Sequence, residues 1–308
     1  MRPPVRLAPL VFLAACASPG GGSGRAAPLI LPENVSAHDA ATAARLSPAD
    51  LRQRLDRADL VLLGELHDNP VHHQVRGTLI RSAARRPAVV FEQFAATTTP
   101  IPVLAAGEPM EAWLDRHGFD RTGWRWPLHR PVVEAALANG RSIWGSNMSR
   151  EALRSVVREG AAGAPPDLRR LMEQTPLDDA ARAALDRDLI DGHCGQLPEA
   201  MIPGMRAAQE VRDAAMTRAL VAAGVDGPAW LIAGNGHVRT DIAVPRMLPD
   251  AAPGRAVVVV GLLERGQDGS MPDRAEQQRY DIVLITPRAA REDPCASFRR
   301  QASGTPGA

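Results

Sequence analysis

Six short, almost uninterrupted apolar runs constrain this chain more than any other feature. They are residues 60–64 (LVLLG), 88–91 (AVVF), 142–145 (SIWG), 229–233 (AWLIA), 255–263 (RAVVVVGLL) and 280–285 (YDIVLI). A strand that alternates polar and apolar residues keeps one face in water, whereas one that is apolar throughout must be covered on both faces. Between the runs lie stretches with helical spacing, residues 71–86, 111–117 and 131–138. Doubly covered strands joined by helices predict an α/β fold, a mostly parallel central sheet flanked by helices in three layers. Residues 150–224 break the alternation, being rich in Ala, Leu, Arg and Met with no strand pattern. They predict a small all-helical subdomain inserted before the C-terminal strands.

Polar residues gather where the runs end. Glu65 and His67 follow the first, Glu92 and Gln93 the second, Asn147 the third, and Asn235 and His237 the fourth. In open α/β sheets ligands bind at the carboxyl ends of the strands, so these residues mark a candidate crevice. Glu65 and His67 are two apart and face the same side if extended. "GELH" (64–67) and "GNGH" (234–237) share a Gly-x-x-His pattern, in which the glycine lets the chain turn and the imidazole project. One such motif alone reads as a packed or surface histidine. Two at strand ends point to a shared site. Two histidines and a carboxylate also suit a divalent metal such as zinc, with His67, His237 and one of Glu65 or Glu92 (Glu92 in the set taken here) as ligands and the remaining glutamate as catalytic base of a hydrolase.

Charge excludes other classes. The net charge is +1, from 36 basic and 35 acidic residues that are interspersed, so no basic face suits nucleic acid. Every basic residue is arginine, which excludes Schiff-base chemistry and a lysine-dependent phosphate loop.

The start "MRPPVRLAPLVFLAAC" is an arginine-bearing, apolar stretch too short to span a bilayer, and it reads as an export signal ending in a lipobox at Cys16. The expected organisation is a signal over 1–16, a flexible glycine-rich tether over 17–40, a ligand-binding domain over 41–296 and a disordered tail over 297–308. Cys16 would be the lipidated mature N-terminus, anchoring the protein in a bacterial envelope, at an outer membrane and facing the periplasm. The remaining cysteines, Cys194 and Cys295, are either a disulfide or two buried thiols.

The stretches "GELHDNPVHHQ", "FEQF", "GSNMSRE", "HCGQLPEAMIPGMRAAQEVRDAAM" and "GNGHVRTDIAVP" together resemble the ChaN-type haem-binding uptake lipoproteins of the Tiki, TraB and erythromycin-esterase-like superfamily. The resemblance runs from about residue 60 to 295. It implies an α/β core with a helical subdomain, a role in haem or iron uptake, and haem held where two protomers meet. Relatives elsewhere in the superfamily use two Gly-x-x-His motifs and a glutamate for metal-dependent proteolysis or ester hydrolysis. Carried over by position, the superfamily's polar residues fall on Glu65, His67, Glu92, His193 and His237, with Gln209 and Arg212 in the Met-and-Arg helix. Arg212 suits a haem propionate. His129 stands where the family leads one to expect tyrosine, and Tyr280 is the sole tyrosine, so the iron ligand is a phenolate at Tyr280 or one of the histidines.

Several of these residues also have plainer readings. Of His72 and His73, one is expected to face solvent and the other to line the crevice rim. His193 and Cys194 are ligand and loop, or part of a disulfide-held turn. Met205 and Met216 share a face with Gln209 and Arg212, and a methionine stripe is more often core than cofactor box. Asp213 is expected only to pair with neighbours of Arg212. Trp124 and Trp126 either stack on a flat ligand or seal the core.

Overall fold

Each apolar run becomes a strand, and two strands with no apolar run join them. The computed structural model describes residues 28–293 and 295–296; the expected signal with Cys16, residues 17–27 of the expected tether and the tail lie outside these. The strands are β1 (Ser36–Asp39), β2 (Arg45–Leu46), β3 (Leu60–Leu63), β4 (Ala88–Ala95), β5 (Ser142–Asn147), β6 (Ala229–Ile232), β7 (Val257–Glu264) and β8 (Ile282–Thr286). They form one sheet in the order β2-β1-β8-β7-β3-β6-β4-β5. β3 to β8 are mutually parallel, while β1 runs antiparallel to β8 and to β2. The folded domain therefore begins before the expected boundary at residue 41. β1 lies between the two-residue edge strand β2 and β8, and its order comes from backbone pairing to both, with Ala37 buried, so it needs no apolar run.

Helices cover both faces. They are α1 (Pro48–Arg57), α2 (Pro70–Ser82), α3 (Met110–Arg116), α4 (Arg130–Asn139), α5 (Arg150–Glu159), α6 (Pro166–Gln174), α7 (Asp179–Gly192), α8 (Ile202–Ala223), α9 (Asn235–Val238), α10 (Val244–Ala251) and α11 (Arg274–Gln277). Alternate residues of β3 go to opposite cores. Val61 and Leu63 pack with Val75, Leu79, Val132 and Val133 of α2 and α4, whereas Leu60 and Leu62 pack with Met216 and Leu220 of α8. The same period in β4 sends Val89 and Phe91 to the α2/α4 side and Ala88 and Val90 to the α8 side. No helix among the described residues is long and apolar enough to cross a membrane.

The stretch 150–224 holds helices and no strand, as expected, but it is not detached from the sheet. Ala207, Ala208, Val211 and Ala215 of α8 pack against Val156, Leu168 and Met172, while Met216, Ala219, Leu220 and Ala223 continue onto the sheet. Met216 is thus a core residue. α8 holds the helical subdomain to the body.

Cys194 and Cys295 are bonded, with Cα atoms 5.6 Å apart across a separation of 101 residues. The bridge ties the turn after α7 to the segment that follows β8. Cys295→Ser is expected to lower unfolding free energy by about 2–4 kcal/mol, from the chain entropy a long closed loop removes. Urea unfolding without reductant measures this; an unchanged midpoint would show that the bridge contributes nothing.

Candidate functional site

Because side chains alternate along a strand, Glu65 beyond β3 falls on the α2/α4 side. Glu92, near the end of β4, falls on the α8 side. Both carboxylates are buried, at 1% and 2% exposure, so each requires partners inside the protein.

Glu65 is surrounded by residues from three elements. Its Oε1 accepts from His67 Nδ1 at 2.7 Å, from Gln93 Nε2 at 3.1 Å and from His129 Nε2 at 3.4 Å. Its Oε2 lies 3.0 Å from His73 Nδ1 and forms an ion pair with Arg76. Arg76 is fully buried, and burial pulls its guanidinium down to about 9. Its Nη2 also donates to His73 Nδ1 at 3.1 Å, while His73 Nε2 donates to the His67 carbonyl at 3.0 Å. Burial pushes His73 down to about 4. His129 precedes α4, and burial, then His73 and Arg76, push it down to about 2. Both rings are therefore neutral.

Glu92 organises the other side. Its Oε2 accepts from the Gly234 N–H at 2.8 Å, and its Oε1 is 3.5 Å from His237 Nε2. His237 Nδ1 donates to Asp213 Oδ1 at 2.6 Å, and the amide of Gln209 reaches the same nitrogen at 3.2 Å. Burial works against a charged His237, but Glu92 and Asp213 outweigh it and raise the ring to about 9. Burial likewise opposes the charge on Glu92, yet His237, His67 and the Gly234 N–H hold it well below the usual carboxylate range. His237 is an imidazolium between two carboxylates.

The paired motifs interlock. A Cβ at Gly64 would sit 2.1 Å from Asn235 Oδ1, and one at Gly234 would sit 2.9 Å from His67 Nε2. Each glycine makes room for a side chain of the other motif. His67 therefore stands between the two carboxylate clusters, its side chain 45% exposed and its ring 5.0 Å from Trp124.

Trp124 also lines a cavity of about 590 Å³ beyond the ends of β4 and β5, with Asn147, Met148, Leu153, Leu168 and Arg212 among its walls. The Nε of Arg212 is buried and has no hydrogen-bond partner among the described residues.

The structure brings Glu65, His67, Glu92, His237, Gln209 and His129 together and places Arg212 in the adjoining cavity. It sets two of the expected residues elsewhere. Tyr280 leads into β8 and is buried in the α8-side core with its ring against Gly261. His193 ends α7, its Nδ1 donating to the Leu189 carbonyl at 2.7 Å beside the disulfide. Both His72 and His73 are buried, so neither faces solvent. His72 is structural, accepting from Leu66 N–H at 2.9 Å and donating to Thr286 Oγ1 at 2.8 Å. The expected metal set of His67, Glu92 and His237 is also corrected. Among the described residues, the ligand atoms that lie within 4.8 Å of one another belong to Glu65, His67 and His129. Strand alternation separates Glu65 from Glu92, and both nitrogens of His237 face carboxylates. Arg76 and Asp213 were not expected here, whereas one histidine of the 72/73 pair was, and His73 is that one. Spacing offered a signal for the two unexpected residues: Arg76 is three residues from His73, and Asp213 is four from Gln209.

The strand order and the crevice at the carboxyl ends define a three-layer α/β ligand-binding protein. The model of the haem-binding uptake family, Tiki superfamily, ChaN, matches residues 51–248, and the chain belongs to that family. Among solved structures, ChaN of Campylobacter jejuni, described for its cofacial haem binding, aligns with a TM-score of 0.63 at 21% identity, covering 84% of this chain and 99% of that one. At that identity the likeness shows the fold. A succinoglycan biosynthesis protein (TM-score 0.37, 9% identity, 77% of this chain and 89% of that one) and an erythromycin esterase mutant in its open conformation (0.40, 14%, 87% of each) are more remote. A search of the curated proteins gives no match.

Proposed function

We propose that this protein is a haem-binding envelope lipoprotein of haem or iron uptake, taking the porphyrin in the cavity between Trp124, Met148 and Arg212 and closing over it as a homodimer. Family membership supports haem as the ligand, and the neighbour from Campylobacter jejuni is described for cofacial haem binding. The observation in this chain that carries the reading is Arg212. A buried guanidinium nitrogen without a partner is costly, and a propionate would supply the missing acceptor as a charge-assisted hydrogen bond. The cavity volume, about 590 Å³, falls in the range of sites that enclose a small ligand. Its walls join an aromatic face and aliphatic side chains to that one cation, which suits an apolar macrocycle with acidic edges.

Haemin titration of Arg212→Ala and Trp124→Ala tests this placement. Loss of the propionate contact is expected to weaken binding about 10- to 100-fold, the equivalent of roughly 1.5–3 kcal/mol. Affinity unchanged in both variants would move the haem elsewhere. Lipidation is proposed at Cys16, and mass analysis of the mature protein checks it: an unacylated chain cleaved at another position would refute the anchor.

A further inference from the structure

Glu65, His67 and His129 have not been used by the haem cavity, and their arrangement has a chemistry of its own. We propose that these three side chains form a divalent-cation site of the zinc class at the carboxyl end of β3. Glu65 Oε1 is 2.7 Å from His67 Nδ1 and 3.4 Å from His129 Nε2, and all three atoms lie within 4.8 Å of one another. In a tetrahedral zinc site, ligand atoms about 2.1 Å from the metal stand roughly 3.4 Å apart, so, with each ring in the tautomer that leaves His67 Nδ1 and His129 Nε2 unprotonated, small movements of the half-exposed His67 ring bring the three into a coordination face.

The groups behind the ligands are those a metal site needs. The carboxylate is fixed by contacts that leave Oε1 facing the imidazoles: the Arg76 guanidinium takes Oε2, and Gln93 donates to Oε1 from the side. The His129 ring is boxed by His73 at 4.1 Å, Trp124 at 5.8 Å and Phe119 at 5.9 Å. His73 Nε2 fixes the loop that carries His67 by donating to its carbonyl. Glu65 and His129, locked by packing and outer hydrogen bonds, keep their orientation on binding, and His67 supplies the movement. His67, with 45% of its side chain exposed, supplies a route from solvent, and three protein ligands leave one position for water or a ligand oxygen.

The site differs from the paired Gly-x-x-His arrangement, because His129 replaces both Glu92 and His237 as partner of His67.

Full-length protein in detergent, stripped with chelator, is to be titrated with Zn²⁺ by calorimetry and with Co²⁺ by absorption. The expected result is saturable binding at one site and the strong visible cobalt bands of a low-coordinate N/O site. His129→Phe, which keeps the ring packing, and His67→Ala, which changes an exposed residue, are each expected to weaken zinc binding more than ~100-fold, since even outer partners cost 10- to 100-fold. Circular dichroism confirms that each variant is folded. Zinc binding retained in a folded His67→Ala or His129→Phe overturns the proposal. Loss in Glu92→Gln and His237→Gln with retention in His129→Phe also overturns it, by placing the ion on the other set. The outcome is separable from haem capture, which is read from the Soret band.

Discussion

Arg76→Met is expected to destabilise the protein by about 3–5 kcal/mol, because it leaves the buried Glu65 carboxylate without its cation. The penalty comes from the stranded charge more than from the lost attraction. Adding Glu65→Gln to Arg76→Met is therefore expected to recover part of the loss, as the neutral amide needs no counter-charge. Urea unfolding of the single and double variants measures both effects. A single variant as stable as the parent would mean that Glu65 is already neutral, and would remove the ion pair as the organiser of this side of the site.

Stability is expected to peak near pH 6.5 and fall on both sides. His237 is raised from 6.5 to about 9 in the folded protein, against the pull of burial, by Glu92 and Asp213. Its contribution is fully present below pH 6.5 and is lost as pH rises toward 9. Burial lowers His72 to about 3, His73 to about 4 and His129 to about 2, so the unfolded chain binds their protons first as pH falls. Stability is lost below 6.5 for that reason. Asp213→Ala removes one carboxylate from His237 and is expected to cost about 3 kcal/mol at neutral pH. It should also flatten the alkaline limb. Urea midpoints from pH 5 to pH 9 check the curve; no loss between 6.5 and 9 in the parent protein would show that His237 is neutral.

The sheet was largely legible in the sequence because a strand covered on both faces must be continuously apolar, and all six runs satisfy that condition. β1 and β2 were not legible. Their order comes from backbone pairing at an edge, which leaves no run of apolar residues. The crevice followed from polar residues at successive strand ends, and the alternation in β3 and β4 carries the further detail that Glu65 and Glu92 face opposite layers. Burial of Arg76 was hidden, since an arginine on a helix ordinarily reads as a solvated residue. Asp213 was assigned to its own helix because its partner, His237, is 24 residues away. Tyr280 attracted attention as the sole tyrosine, whereas its ring fills space beside Gly261, a relation that only the folded chain reveals.

Haem capture is tested most directly by titrating the full-length protein in detergent with haemin, following the Soret band and the sedimentation of the complex together. The expected result is a saturable, stoichiometric Soret shift with conversion to a dimer as haem is taken up. A band that stays that of free haemin throughout the titration, with the sedimentation unchanged, would contradict haem binding by this protein.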